Sequence, residues 1–321
     1  MRIATMLWLW ITAAVIALGA CRALPAPDPG PHSLATGAKG GGFHLYGNAV
    51  TQAFGADAPV RLVVRETAGS NENIQLLQSG AAKIALVNLG PAYEAWNGTA
   101  SFAPGVRYDR LRALAPMYET PFHLIALRAG GITSIKALEG KRVGVGPAKG
   151  PGEVFFRGLI ERLGVRCTLV NAAPDAHAKQ LASGEIDAFW FGAGLPVPAF
   201  KQLSDSADAV VFGLTEDERS TFVAAFPYLA PYTIPAGMYR GQAAAIETAA
   251  VWNFVLAARD LDDATAYAIT RSLLTRTDAL ARRYPAAAAT RPENAPNNRF
   301  LPFHPGAQRF YNEHGIKLTT P

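Results

Sequence analysis

Cysteine is almost absent from this chain: Cys21 and Cys167 are the only two in 321 residues. Cys21 closes a leader-like apolar segment, so whether it is removed or modified, Cys167 keeps no intramolecular partner and a disulfide scaffold is excluded. Cys167 itself stands in the strand-like run Val165–Val170, the setting of a buried, inert thiol. Charge is also scarce, at 17% of residues with a formal net +5. With no lysine-arginine block and no interleaved aromatic platform, nucleic acid is excluded as a partner. There is no G-x-S-x-G, and the six histidines (His32, His44, His123, His177, His304 and His314) form no i, i+4 pair. Neither a hydrolase nor a zinc motif is therefore written in the chain, and no catalytic residue, metal or cofactor is expected. After the leader, no apolar run is long enough to span a bilayer.

What the chain does have is apolar mass. Half of its residues are hydrophobic, enough to fill the cores of two α/β domains. The first twenty residues read as an export signal: Arg2, then the apolar run Met6–Leu18, then small residues. Leu18-Gly19-Ala20-Cys21 resembles a bacterial lipoprotein box, which makes Cys21 the candidate lipidation site. Plain cleavage near Ala20 or Ala26 is the alternative. Residues 21–35 are rich in proline and suit a tether that holds a folded body off a membrane.

Two glycine loops carry the functional signal. In Thr67-Ala68-Gly69-Ser70-Asn71-Glu72-Asn73 a small-residue turn runs into an amphipathic helix, with Ser70 expected as its N-cap and Asn73 in its first turn. The second loop, Pro147-Ala148-Lys149-Gly150-Pro151-Gly152, follows the strand-like run Lys141–Gly146 and precedes a helix over 153–163. The first amides of a helix have no internal partner and carry the positive end of its dipole, so each loop is a candidate anion site. Neither spacing fits a P-loop or a dinucleotide fingerprint. Ordinary βα turns are the plain alternative.

Periodicity and breakers order the rest. Strands are expected over 60–66 and 83–88, followed by a polar loop through Asn97-Gly98. A long extended stretch, 111–118 and 122–128, is broken at Pro121. A short helix is expected over 134–140, further helices over 178–183, 247–259, 264–274 and 277–283, a strand over 185–192, and a return toward the first domain over 210–214. The resulting expectation is a mixed α/β fold of two lobes, each with its own sheet. Lobe I comprises 36–120 plus 226–321 with the C-terminal helices, and lobe II comprises 121–225.

At this point the chain resembles the solute-binding component of TAXI-type TRAP transporters. The resemblance rests on Gly40-Gly41-Gly42-Phe43-His44-Leu45-Tyr46-Gly47, Gly69-Ser70-x-Glu72-Asn73, Leu138-x-Gly140-Lys141-Arg142-Val143-x-Val145-Gly146-Pro147, Gly184-x-Ile186-Asp187-Ala188-Phe189, Ile234-Pro235-Ala236-Gly237 and His304-Pro305-Gly306-Ala307. Their order and spacing hold from about residue 35 to 315. The resemblance implies a two-lobed periplasmic-binding-protein fold with hinge crossing strands. It also implies a ligand in the cleft and delivery to an integral-membrane TRAP permease driven by an ion gradient. With the lipoprotein box, the expectation is a periplasmic, lipid-anchored protein, working as a monomer.

Acidic amino acids and related carboxylates are the ligands the resemblance implies, yet two sets of hydroxyls are missing. Gly42 stands where the family commonly has threonine, and Gly150-Pro151-Gly152 replaces a Ser-Gly-Thr run. Lys149 is a candidate compensating cation. Phe43 and His44 are candidate cleft walls, and Asn88, Tyr118, Phe191 and Gly192 sit at strand ends or at the crossover, where open α/β sheets bind ligands. His123 is expected as a satisfied buried histidine. A ligand-sensing lipoprotein acting on a membrane sensor kinase is the alternative function, since it would use the same fold and cleft.

Overall fold

Short β-branched runs alternating with amphipathic segments favour parallel strands joined by helical crossovers, and the first ninety residues follow that rule. The structure, a computed structural model, describes residues 26–318 except 38, 56, 57 and 149. The leader, Cys21 and Lys149 lie outside the described residues. Strand β1 (His32–Ala35) pairs in parallel with β2 (Leu62–Arg65) and β3 (Ile84–Asn88), with α1 (Gly42–Phe54) and α2 (Ser70–Ser79) as connections. The proline-rich tether expected over 21–35 does not reach that far: His32–Ala35 is in the sheet, and before it the Asp28 amide donates to Thr265 Oγ1 and the Arg61 amide to Pro29 O, both at 2.9 Å. Helix α3 (Leu89–Asn97) replaces the expected polar loop. Its cap is Asn88, whose Oδ1 accepts from the Gly90 amide at 2.9 Å.

Strand β4 (Leu111–Leu127) runs through both prolines without a break. Pro116 lies beside the register shift between Trp252 and Phe254, a place where a missing amide is tolerated. Lobe II then builds on β5 (Arg142–Gly144), α4 (Pro151–Leu163), β6 (Thr168–Val170), α5 (Pro174–Ser183), β7 (Ala188–Gly192), α6 (Pro198–Ser206), β8 (Ala209–Phe212) and α7 (Glu216–Ala225). The helix expected over 134–140 is only a 3-10 turn at Lys136–Leu138.

The chain returns through β9 (Leu229–Ile234) and β10 (Ile246–Ala258) and closes with α8 (Asp263–Thr275), α9 (Thr277–Ala281) and α10 (Pro305–Glu313). The expected helix 247–259 is thus a strand. Every residue from Thr248 to Ala258 is buried, so neither a helical nor an alternating period survives in this alanine-rich run.

The lobes do not have separate sheets. Hydrogen bonding is continuous in the order β2-β1-β3-β10-β4-β7-β5-β6, with β8 on β4 and β9 on β10. The long strands serve both ends: β10 pairs with β3 through residues 253–257 and with β9 through 246–251, while β4 pairs with β10 and then with β7. The main apolar cluster runs on through these strands from Ile84 and Leu86 to Phe155, Trp190 and Phe222. A second cluster, including Phe189 and Phe200, fills the other face of lobe II. Ile234, Tyr239 and Ile246 pack into it as well.

Candidate functional site

The cleft lies where β4 and β10 cross between the lobes. Its two connected cavities, of about 580 and 560 Å³, share Phe43 and Asn253 in their walls. Asn253 organises the crossing. Its Nδ2 donates to the Tyr118 carbonyl and to Thr120 Oγ1, both at 2.9 Å, and its Oδ1 accepts from Asn88 Nδ2 at 3.1 Å. One buried side chain thereby ties β3, β4 and β10 together at the floor of the cleft. It was hidden because its segment reads as a helix.

The smaller cavity gathers helix starts from both lobes. Ser70 and Asn71 open α2, Asn88 caps α3, and Pro151 and Val154 open α4. Ser70 is not the N-cap. Gly69 takes that position at φ 106°, a conformation costly for any other residue, and Ser70 Oγ accepts instead from the Asn88 amide at 3.0 Å. The hydroxyl proton of Ser70 thus remains to donate into the cavity. Glu94, on α3, is the one acid in this wall among the described residues, and burial pushes its carboxyl up from its usual value.

The larger cavity is walled by the 40–43 glycine turn, Tyr118, Tyr284 and the loop from Gly192 to Pro198. A Cβ added at Gly42 would lie 2.9 Å from Tyr118 Oη and 3.2 Å from Tyr284 Oη. Two tyrosine hydroxyls therefore occupy the space that a side chain at position 42 would need. Burial, with Tyr284 beside it, holds the Tyr118 hydroxyl well above its usual range, so it stays a neutral donor. Tyr46, Tyr118 and Tyr284 pack with ring centroids 5.4–6.2 Å apart. Gly192 is glycine for packing reasons: an added Cβ would sit 2.5 Å from the Phe122 ring.

Of the expected site residues, Gly42, Phe43, Ser70, Asn88, Tyr118 and Gly192 do meet in the two cavity walls. Lys149 lies outside the described residues, and His44, Asn73, Gly150, Gly152 and Phe191 are not among the lining residues. Asn73 is fully buried, and its Nδ2 donates to Thr36 O at 2.6 Å and Leu86 O at 2.7 Å, so it fastens α2 to the sheet. His44 braces the glycine turn, with Nδ1 accepting from the Gly40 amide at 3.2 Å and Nε2 lying 3.6 Å from Glu66. Phe191 points to the other face of β7, against Phe189. Gly150 and Gly152 are packed under the loop, where an added Cβ would meet Pro147 O at 2.9 Å and Val145 O at 2.5 Å. A side chain at either position would force the loop to shift.

Thr120, Asn253, Glu94, Leu195, Pro196 and Tyr284 were missed. Only Leu195-Pro196 left a signal, lying just past the expected strand end at Gly192. His123 is the satisfied buried histidine expected, its Nε2 2.8 Å from Tyr239 Oη, and burial lowers its pKa to about 4. Burial pushes the half-buried Cys167 thiol up to about 11. Among the described residues no helix is long and apolar enough to cross a membrane.

Solved structures share this architecture. A TctC solute-binding protein from Polaromonas aligns at TM-score 0.53 and 14% identity, over 78% of this chain and 87% of its own. MatC of Rhodopseudomonas palustris, solved with bound malate, aligns at TM-score 0.50 and 16% identity, over 88% and 96%. The fold is therefore the two-lobed fold of periplasmic binding proteins. Residues 34–315, most of the chain and both walls of the cleft, match the NMT1-like family, and the protein belongs to it.

Proposed function

We propose that this protein is an extracytoplasmic solute-binding protein that captures a small anionic, carboxylate-type solute between its lobes. In this reading it is held at the periplasmic face of a membrane by a lipid on Cys21, works as a monomer, and hands its solute to a TRAP-type permease as a TAXI-type component. One observation carries the reading: the first turns of α1 and α2, the capped start of α3 and the first turn of α4 open onto one cleft from two lobes. These starts turn positive dipole ends and first-turn amides toward the cleft, with the Gly90 amide already taken by Asn88 and none supplied by Pro151, and together they favour an anion without any cationic side chain among the described lining residues. The neighbour MatC was solved with malate, a small organic anion.

Capture works through the crossing. A solute touching both walls at once binds the closed arrangement better than the open one, and that difference in affinity shifts the population toward closure. Native mass spectrometry of the purified mature protein tests the solute class directly, because a retained organic anion is expected. Ser70→Ala tests the site: losing one hydrogen bond to a charged group weakens affinity by about 1.5–3 kcal/mol. Unchanged calorimetric affinity for the retained anion would remove Ser70 from the site.

A further inference from the structure

The two cavities differ in character, and the difference restricts the solute. At the α2–α4 end the wall offers the Ser70 hydroxyl, the Asn88 amide group and helix starts. At the other end it offers Phe43, Leu45, Tyr118, Leu195, Pro196 and Ala286, with no charged side chain among the described residues. Leu45 and Val154 stand on the walls of opposite lobes at 47% and 43% exposure, large apolar groups still open to solvent. A dicarboxylate of four or five carbons would leave most of about 580 Å³ of apolar-walled space filled with water. If instead it sat wholly in the polar end, both of its charges would lie in the wall lined by Glu94, whose carboxylate has no hydrogen-bond or ion-pair partner among the described residues. Like charges in a partly desolvated wall repel more strongly than in water.

We infer that the solute is a monoanionic acid with an apolar body, its single acidic group at the helix starts beside Ser70 and Asn88 and its body against Phe43, Tyr118 and Leu195. The inference rests on reading the cleft as an anion site. Glu94 acts as a specificity residue: it rejects a second negative charge and tolerates hydrogen-bond donors. The glycine at position 42 contributes as well, since it lets the Tyr118 and Tyr284 rings close the apolar end.

Calorimetry on the dialysed mature protein at pH 7.5 tests this with three probes: 3-phenylpropionate, succinate and the neutral 3-phenylpropan-1-ol. Phenylpropionate is expected to bind at least tenfold tighter than either of the others. Ala286→Trp, and the milder Ala286→Leu should the first fail to fold by thermal melt, should weaken phenylpropionate at least tenfold and change succinate little. Glu94→Gln should improve succinate at least threefold more than phenylpropionate. Succinate binding as tightly as phenylpropionate to the wild type would overturn the inference and leave the anion site standing. The alcohol binding as tightly as phenylpropionate would overturn the anion site itself, and binding of none of the three would overturn the inference.

Discussion

Asn253 offers the most direct test of how the cleft is built. Its side chain is 2% exposed and makes three hydrogen bonds, to the Tyr118 carbonyl, to Thr120 Oγ1 and from Asn88 Nδ2. Asn253→Ala removes all three and leaves the Tyr118 carbonyl with one fewer partner in a water-poor crossing. At about 1 kcal/mol per bond, less what water recovers at the cavity-facing Asn88, the loss is about 2–3 kcal/mol. In a chain of this size that lowers the first thermal transition by about 3–6 °C. Asn253→Asp is the sharper variant. It keeps the shape but turns the donor toward Tyr118 O into a second acceptor and buries a charge, so it should be less stable than Asn253→Ala. Urea unfolding of the two variants, with Asn88→Ala and the double variant closing a cycle, reads the Asn88 contribution separately. If Asn253→Ala stayed within 0.5 kcal/mol of wild type, or Asn253→Asp proved the more stable variant, the tie across three strands would be decorative and the reasoning refuted.

Other consequences can be measured independently. Gly192→Ala drives a Cβ into a Phe122 ring already boxed by Phe155 and Trp190 at centroid distances of 5.0 and 5.5 Å, and overpacking should cost about 1–3 kcal/mol in denaturant unfolding. His123 is held neutral with a pKa of about 4 against 6.5 when unfolded, so its contribution is complete above pH 6.5 and is lost as pH falls toward 4. Wild type should therefore lose about 3 kcal/mol across that window at 1.36 kcal/mol per pH unit. His123→Gln, which keeps an acceptor for Tyr239, should flatten that part of the profile, and an unchanged slope would assign it to other groups. Cys21→Ala should move the protein from the membrane fraction to the soluble periplasm, whereas identical fractionation would count against the lipid anchor.

The parts of the fold that were legible in the sequence are those with a local cause. Gly69-Ser70 before an apolar 3.6-period stretch announced α2, Asp262 before Ala264 announced α8, and the glycine-aromatic turn placed Gly42 and Phe43 at the cleft. What failed had a tertiary cause. The run 247–259 lost every periodic cue by being buried on both faces, and with it went Asn253. Asn73 and His44 have the polar chemistry of ligand residues, yet they spend it on Leu86 and Gly40, and no local pattern reveals which way a side chain is spent. Tyr284 reaches the cleft from the far end of the chain, through a contact that only the folded crossing creates.

The long reach of β10 also sets a timetable for folding. The edge of β3 waits for Asn253–Ala257, and β3 ends at Asn88 while β10 begins only at Ile246. As the chain is made or exported, β1, β2 and β3 can assemble early, but their apolar edge stays open until the whole of lobe II has passed. Such an unpaired edge invites pairing with other chains, and long-range closure of this kind is slow. A chain stopped before residue 246 should therefore aggregate rather than yield a free-standing first lobe.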